Sequence, residues 1–196
     1  MTTPGAVGRA SVFGVDEQDE VDVDVPRWVA LAEQVLADAR VQPGAELSLL
    51  FVDEATMADL NERHMGSTGP TDVLAFPIDE DPIEQGRWPD NGTTGPDRPM
   101  PLPDDLPVLL GDVVVCPKKA AAQAPEHAGG ELHDGSVEDE IALLVVHGIL
   151  HVLGMDHAEP EETEAMQARE RDLLDRFHLE TVPSPSGVTH HLLWRR

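Results

Sequence analysis

Three histidines in the C-terminal half of the chain are spaced so that they could bind one metal ion. His147 and His151 are four residues apart in an apolar segment, so on a helix their side chains would project from one face. Gly154 can adopt the left-handed conformation that ends a helix and reverses the chain, which would bring His157 towards the same point. Each histidine taken alone is more often a hydrogen-bonded core or surface residue than a metal ligand. Together they predict a metal site, because one ion satisfies two imidazoles that would otherwise each need a polar partner.

The chemistry of such a site follows from its ligands. Three imidazoles with an open fourth position are typical of catalytic zinc, which lowers the pKa of a water molecule to about 7. The spacing HxxxHxxGxxH also matches the metzincin proteases, in which a glutamate general base follows the first histidine. That position is Gly148 here, and a glycine cannot accept a proton, so the motif indicates one zinc ion and disfavours proteolysis. Asp156 could orient an imidazole, act as a base or simply form a turn.

Composition excludes several classes of protein. The 196-residue chain carries 13 Lys and Arg against 38 Asp and Glu, a net charge of −25, which argues against broad electrostatic binding to nucleic acid or to anionic membranes. The longest apolar run, 141–146, is far shorter than the roughly 20 residues of a membrane span. The N-terminus lacks the apolar region of an export signal, and Cys116 is the single cysteine. We therefore expect a cytoplasmic protein.

Hydrophobic periodicity and turn residues predict the elements that position the histidines. Strands are predicted at 11–15, 47–52, 73–76 and 108–116, and helices at 27–40, 53–63, 118–124, 138–153 and 161–177. The helix over 138–153 is apolar nearly all round and should be buried. Residues 77–107 are crowded with Pro, Gly and Asp and predict a flexible insertion, within a single catalytic domain over 1–180. Residues 181–196 are predicted to be a loosely held tail.

Three segments resemble the YbeY-type endoribonucleases, which act in ribosomal RNA maturation and ribosome quality control. Residues 147–157 read HGILHVLGMDH and are similar to the family signature, with Met155 where an aromatic residue is common. Residues 70–77 read PTDVLAFP and resemble the family's PTDVLSFP, and 110–115 read LGDVVV and resemble its LGDIVI. The resemblance covers roughly residues 47–177.

This resemblance implies a fold, a cofactor and a substrate. The fold is expected to be α+β, a small mixed sheet flanked by helices, with a metalloprotease-like zinc site on a buried helix. His147, His151 and His157 would bind the zinc. The enzyme would be a single-strand-specific endoribonuclease acting on ribosomal RNA precursors, including 3′-end maturation of small-subunit RNA. The ribosome and its proteins are candidate partners, whereas no DNA or membrane partner is expected.

One departure from the family concerns a candidate cation. Members often carry a Tyr-Arg pair before the PTDV segment, and the aligned residues here are His64 and Met65. Arg63, two residues before Met65, could steady the charge that develops on a phosphate or could be a solvated surface arginine.

Other polar residues each allow two interpretations. Lys118 and Lys119 could contact RNA phosphates or form a solvated helix start, and the Arg195-Arg196 end could touch RNA. Asp72 and Asp112 could accept hydrogen bonds behind the site or cap turns. The remaining histidines considered lie in polar or terminal segments without partner spacing and are expected on the surface: His127, His133, His190 and His191.

Two other functions remain open from the sequence. A zinc-dependent hydrolase or peptidase is favoured by the metzincin-like spacing and opposed by Gly148. A non-catalytic ribosome-assembly factor would use the zinc only to hold the last helix. For the nuclease, attack by water and attack by the neighbouring 2′-hydroxyl are both compatible with the motif.

Overall fold

A mixed four-stranded sheet organises the chain, of which the computed structural model describes residues 9–78, 108–129, 133–155 and 159–179. The strands are β1 (Ser11–Asp16), β2 (Ala45–Phe51), β3 (Val73–Pro77) and β4 (Val108–Val115). Their order is β1-β2-β4-β3. Strands β1 and β4 both run parallel to β2, whereas β3 runs antiparallel to β4. The expected mixed sheet is confirmed, and β4 lies in its interior. Most of the predicted insertion, residues 79–107, and the predicted tail, 181–196, lie outside the described residues.

Five helices accompany the sheet: α1 (Val25–Asp38), α2 (Glu54–Met65), α3 (Pro117–Gln123), α4 (Val137–Val152) and α5 (Pro160–Leu174). A 3-10 turn, Ala124–His127, follows α3, and a π turn, Asp175–Leu179, follows α5. The side chain of Asp53 caps α2 by accepting from the Thr56 backbone N–H at 2.7 Å, as the sequence predicts. None of the helices in the described part of the chain has the length and hydropathy of a bilayer span.

The main core lies between one face of the sheet and α1, α4 and α5. Its members include Leu47, Leu49 and Phe51 of β2, Val113 and Val115 of β4, Trp28 and Val35 of α1, Val145 and Ile149 of α4, and Met166 and Leu173 of α5. All of these are at most 2% exposed. Helix α4 contacts the sheet, α1, α3 and α5, so the prediction that this helix is buried is confirmed.

A smaller core lies on the other face of the sheet, under α2. It is formed by Val52, Met57, Leu74, Val114 and Cys116. Burial raises the pKa of the Cys116 thiol, which makes the single cysteine a packing residue with little thiolate character.

Gly148 allows α4 to approach the sheet closely. A Cβ atom at this position would lie 2.6 Å from Cγ1 of Val113 on β4 and 3.3 Å from Cγ2 of Val73 on β3. The glutamate that proteases carry at the equivalent place cannot fit here without moving the helix away from the sheet. Position 148 is therefore a packing position.

Candidate metal centre

The two helical histidines of α4 lie side by side. Nε2 of His151 is 3.1 Å from Nε2 of His147, and the two rings meet nearly at right angles, with an interplanar angle of 80°. Both side chains are partly exposed, although α4 itself is buried. The structure thus brings His147 and His151 together at one point, as their spacing predicts.

Glu170 of α5 holds the other nitrogen of His147. Its Oε1 lies 2.7 Å from Nδ1 of His147, and its side chain is 11% exposed. Because an ionised carboxylate can only accept, the N–H at Nδ1 donates to it, and the Nε2 atom of a neutral ring carries the lone pair. A carboxylate behind an imidazole in this way is the usual support of a metal-binding histidine.

The geometry of the pair fits a zinc ion. A tetrahedral ion about 2.1 Å from each nitrogen would separate the two nitrogens by roughly 3.4 Å, which is close to the observed 3.1 Å. Imidazole nitrogens are also the donors that zinc commonly takes in proteins. These residues therefore fit the metal that the motif predicts.

The chain reverses directly after the second histidine. Helix α4 ends at Val152, Gly154 has the predicted left-handed backbone with φ of 85°, and the Gly154 N–H donates to the carbonyl of His151 at 2.9 Å. Asp156 and His157 lie outside the described residues. The role of His157 as a third ligand stays a prediction.

A second cluster of possible ligands lies at the other end of α4. Oε2 of Glu140 is 2.6 Å from Nδ1 of His127 and 2.9 Å from Nε2 of His133. The ligand atoms of the three residues all lie within 4.8 Å of one another, so this group could hold a metal ion. His127 is a surface residue as expected, with its side chain 49% exposed, whereas the same expectation is wrong for His133, whose side chain is 9% exposed. Both histidines contact the carboxylate of Glu140, which their spacing in the sequence did not indicate.

Two of the candidate cations, Arg63 and Lys118, have acidic partners. Arg63 is 68% exposed at its side chain and lies 2.7 Å from Oδ2 of Asp59, one helical turn away. Nζ of Lys118 lies 2.6 Å from Glu20 and 3.1 Å from Glu54, and hydrogen bonds to these carboxylates raise the pKa of Lys118. Neither residue therefore presents an unpaired positive charge to a phosphate.

Asp72 and Asp112, the two aspartates expected either to support the site or to cap turns, lie at strands β3 and β4. Oδ1 of Asp72 accepts from the Thr71 hydroxyl and from the Val73 backbone N–H, both at 2.9 Å, so it shapes the start of β3. Asp112 lies on β4 opposite Phe76 of β3. His190, His191 and the Arg195-Arg196 end lie outside the described residues.

Two glutamates were not singled out from the sequence. Glu170 lies between Met166 and Leu173 on the buried stripe of α5, and a charged residue on an apolar stripe is a signal that could have found it. Glu140 gives no such signal, because acidic residues are common in the first turn of a helix, where the helix dipole favours them.

The fold and the paired histidines define an α+β protein with a candidate metal centre on a buried helix, and comparisons with known proteins place it further. The family model described as endoribonuclease YbeY matches residues 15–178. The chain therefore belongs to the endoribonuclease YbeY family. Membership confirms the resemblance of the three motifs, and the expected class of enzyme, a hydrolytic endoribonuclease, is that of the family.

Individual relatives agree with this assignment. The chain is 43% identical over 164 residues to endoribonuclease YbeY of Rhodococcus erythropolis, covering 84% of this chain and 81% of the relative. It is 44% identical over 168 residues to endoribonuclease YbeY of Nocardia farcinica, covering 85% and 81%. The solution structure of TM1509 from Thermotoga maritima matches with a TM-score of 0.52 at 20% identity, over 95% of this chain and 99% of that one, which supports the fold.

Proposed function

We propose that this chain is a zinc-dependent endoribonuclease that cleaves single-stranded RNA, with ribosomal RNA precursors as its substrates. The observation that carries the proposal is the pair of Nε2 atoms of His147 and His151, 3.1 Å apart, in a chain whose family is described as endoribonuclease. His147, His151 and His157 are the proposed ligands. Zinc bound by three imidazoles supplies Lewis acidity, which can activate water or polarise a phosphate oxygen.

The chain's own residues prepare this centre. Glu170 accepts a hydrogen bond from the Nδ1–H group of His147, which fixes the ring orientation and directs the Nε2 lone pair towards His151. Gly148 leaves no carboxylate beside His147, so a proton acceptor for the attacking group must come from elsewhere. Asp156 and the 2′-hydroxyl of the substrate are the two candidates. Arg63 is the candidate to steady the phosphate charge, and it would have to exchange its contact with Asp59 for one with RNA.

The proposed cellular role follows from the family. We place the activity in the cytoplasm, in small-subunit ribosomal RNA 3′-end maturation and in ribosome quality control, with the ribosome or its proteins as partners. Binding to the ribosome or to one of its proteins would also bring RNA close to this chain, whose net charge of −25 otherwise repels RNA.

A structural role for the zinc is the second candidate. The contact between His147 and Glu170 joins α4 to α5, and an ion at His147 would strengthen that junction without any catalysis. A peptidase is disfavoured because the place of its general base is occupied by Gly148, packed against Val113.

The proposal is tested with the full chain and a labelled single-stranded RNA, beside a duplex of the same sequence and casein. We expect cleavage of the single strand alone, its loss after treatment with a chelator and its return with zinc. A 2′,3′-cyclic phosphate on the product would identify attack by the 2′-hydroxyl. Failure of the zinc-loaded, folded protein to cut any RNA would contradict the nuclease and favour the structural role.

A further inference from the structure

We propose that His127, His133 and Glu140 form a second site for a divalent metal ion of the zinc class, separate from the centre at His147 and His151. The ligand set is two imidazole nitrogens and one carboxylate oxygen, a combination found in open zinc sites. The three residues come from the 3-10 turn after α3, the segment before α4 and the first turn of α4.

The geometry already gathers the three ligand atoms around one oxygen. Nδ1 of His127 and Nε2 of His133 approach the same atom, Oε2 of Glu140, at 2.6 and 2.9 Å. The two rings meet edge to face at an angle of 75°, with centroids 5.5 Å apart. Small shifts of the rings are enough for the three atoms to surround an ion, because all of them lie within 4.8 Å of one another.

Burial makes a positive partner favourable for Glu140. Its side chain is 1% exposed, and in the described part of the chain its carboxylate contacts imidazoles. A buried carboxylate is strongly unfavourable unless hydrogen bonds or a cation compensate for its lost hydration, and a cation compensates more completely. Either a protonated imidazole or a metal ion can supply that charge, and the ion satisfies both rings and the carboxylate at once.

The protons of the two rings can move to admit the ion. The backbone N–H of Gly135 donates to Nδ1 of His133 at 3.0 Å, so a neutral His133 carries its proton on Nε2 and donates it to Glu140. When an ion takes Nε2, that proton moves to Nδ1 and the hydrogen bond from Gly135 is lost. For His127 the proton moves from Nδ1 to Nε2.

The second site is distinct from the first and is accessible. Glu140 and His147 are seven residues apart on α4, roughly 10 Å along the helix axis, so the two sites share no ligand. The side chain of His127 is 49% exposed, which gives an ion a route from solvent. A cavity of about 140 Å³, lined by His133, Glu170 and others, also opens between α4 and α5.

The test is the zinc content of the full chain after equilibration with zinc and removal of loosely held ions on a weak chelating resin. We expect two ions in the wild type, one in His127→Gln and in Glu140→Gln, and one in the double variant His147→Gln, His151→Gln. His64→Gln, a histidine outside both clusters, is the matched control and should keep two ions. Glu140→Gln keeps a hydrogen-bond acceptor for the rings, which guards against simple misfolding.

The result separates this proposal from the proposed nuclease. A double variant that retains one ion, lost when Glu140→Gln is added, establishes the second site even if the wild type cuts no RNA. Zinc should also raise the melting temperature of the double variant, and this rise should vanish with Glu140→Gln. A wild type with a single ion and a double variant with none would overturn the second site, whatever the nuclease assay shows.

Discussion

Glu170 determines which nitrogen of His147 is available at the candidate metal centre. Its carboxylate accepts from Nδ1 at 2.7 Å, and the remaining nitrogen faces His151. An amide at position 170 could present either its oxygen or its NH2 group, so it would no longer select one tautomer of the ring. The carboxylate therefore prepares the site without touching the metal or the substrate.

Glu170→Gln should weaken zinc binding at this centre by about 10- to 100-fold, because supports of metal-binding histidines act at this level. The measurement is competition with a chromogenic chelator, made in a Glu140→Gln background so that one site is observed. Glu164→Gln, an exposed glutamate on the same helix, is the control. Unchanged affinity in Glu170→Gln would show that this carboxylate does not support the ligand.

The part of the site predicted from sequence is the part that a single helix determines. His147 and His151 share a face because the helical repeat places residues four apart together. Glu170 is 23 residues from His147, and its approach depends on how α5 packs on α4. Glu140 and its two histidines likewise meet through the fold of the chain before α4, so no local spacing reveals them.

At the scale of elements, the closeness of α4 to the sheet depends on one missing side chain. Gly148 faces Val113 in the middle of the helix, where glycine is otherwise unfavourable. Its cost to the helix is offset by the close packing of α4 on β3 and β4, which holds the histidine-bearing face of the helix in place.

Gly148→Ala should lower the free energy of unfolding by about 1–3 kcal/mol, since the added Cβ would lie 2.6 Å from Val113 Cγ1. Urea denaturation of the single variants and of Gly148→Ala with Val113→Ala measures the effect. The double variant should lose less stability than the sum of the two, because the smaller residue 113 admits the new methyl group. A neutral or stabilising Gly148→Ala would contradict the tight contact.

Ion pairs join the end of α1 to α5 and to the π turn that follows it. Asp38, at the end of α1, forms ion pairs with Arg169 and with Arg176, the latter at 2.5 Å, and Arg176 also pairs with Asp172 at 3.0 Å. Hydrogen bonds from Arg176 and Arg169 lower the pKa of the Asp38 carboxyl below its usual value. The ionised form is therefore favoured in the folded state.

Asp38→Asn should destabilise the protein by about 1 kcal/mol at pH 7. A lowered pKa in the folded state gives stability that is fully present above the unfolded value, near 3.8, and is lost as the pH falls through the folded one. Wild type and variant should thus converge in acid, as measured by denaturant unfolding from pH 7 downwards. Asp59→Asn, which removes only the exposed pair with Arg63, should show a smaller gap, and a gap for Asp38→Asn that does not shrink as the pH falls would contradict this assignment.

For the molecule as a whole, the sequence predicted the bounds of the helices and strands and the net charge, but not the way in which the strands pair. Local caps, turns and periodicity predicted each described helix and strand to within a few residues, for example α2 between Asp53 and Gly66. The family resemblance implied a mixed sheet, but the order of its strands was not predicted, because pairing between distant segments leaves little local signal. The net charge of −25 is fixed by the sequence, and the contacts of Arg63 and Lys118 with acidic residues show that these two cations do not offset it.

This charge predicts an unusual salt dependence for RNA cleavage. Proteins that bind RNA through basic surfaces lose affinity as salt rises. Here repulsion is screened as the Debye length falls to about 10 Å at 0.1 M salt, so kcat/KM should rise between very low and moderate ionic strength. Steady-state cleavage of a labelled single strand at several salt concentrations and constant zinc measures it. A steep fall over the same range would instead indicate a local basic surface that dominates the encounter.

We infer that the paired histidines of α4 form the catalytic metal centre of a ribonuclease. The most direct test of this claim compares zinc-loaded wild type with His151→Ala in the cleavage of a labelled ribosomal RNA precursor that carries single-stranded ends, at a temperature where circular dichroism shows both proteins folded. We predict that the wild type cuts the precursor and that His151→Ala cuts it at least 100-fold more slowly, the order expected when a ligand of a catalytic metal ion is removed. Cleavage by folded His151→Ala at the wild-type rate would contradict the claim.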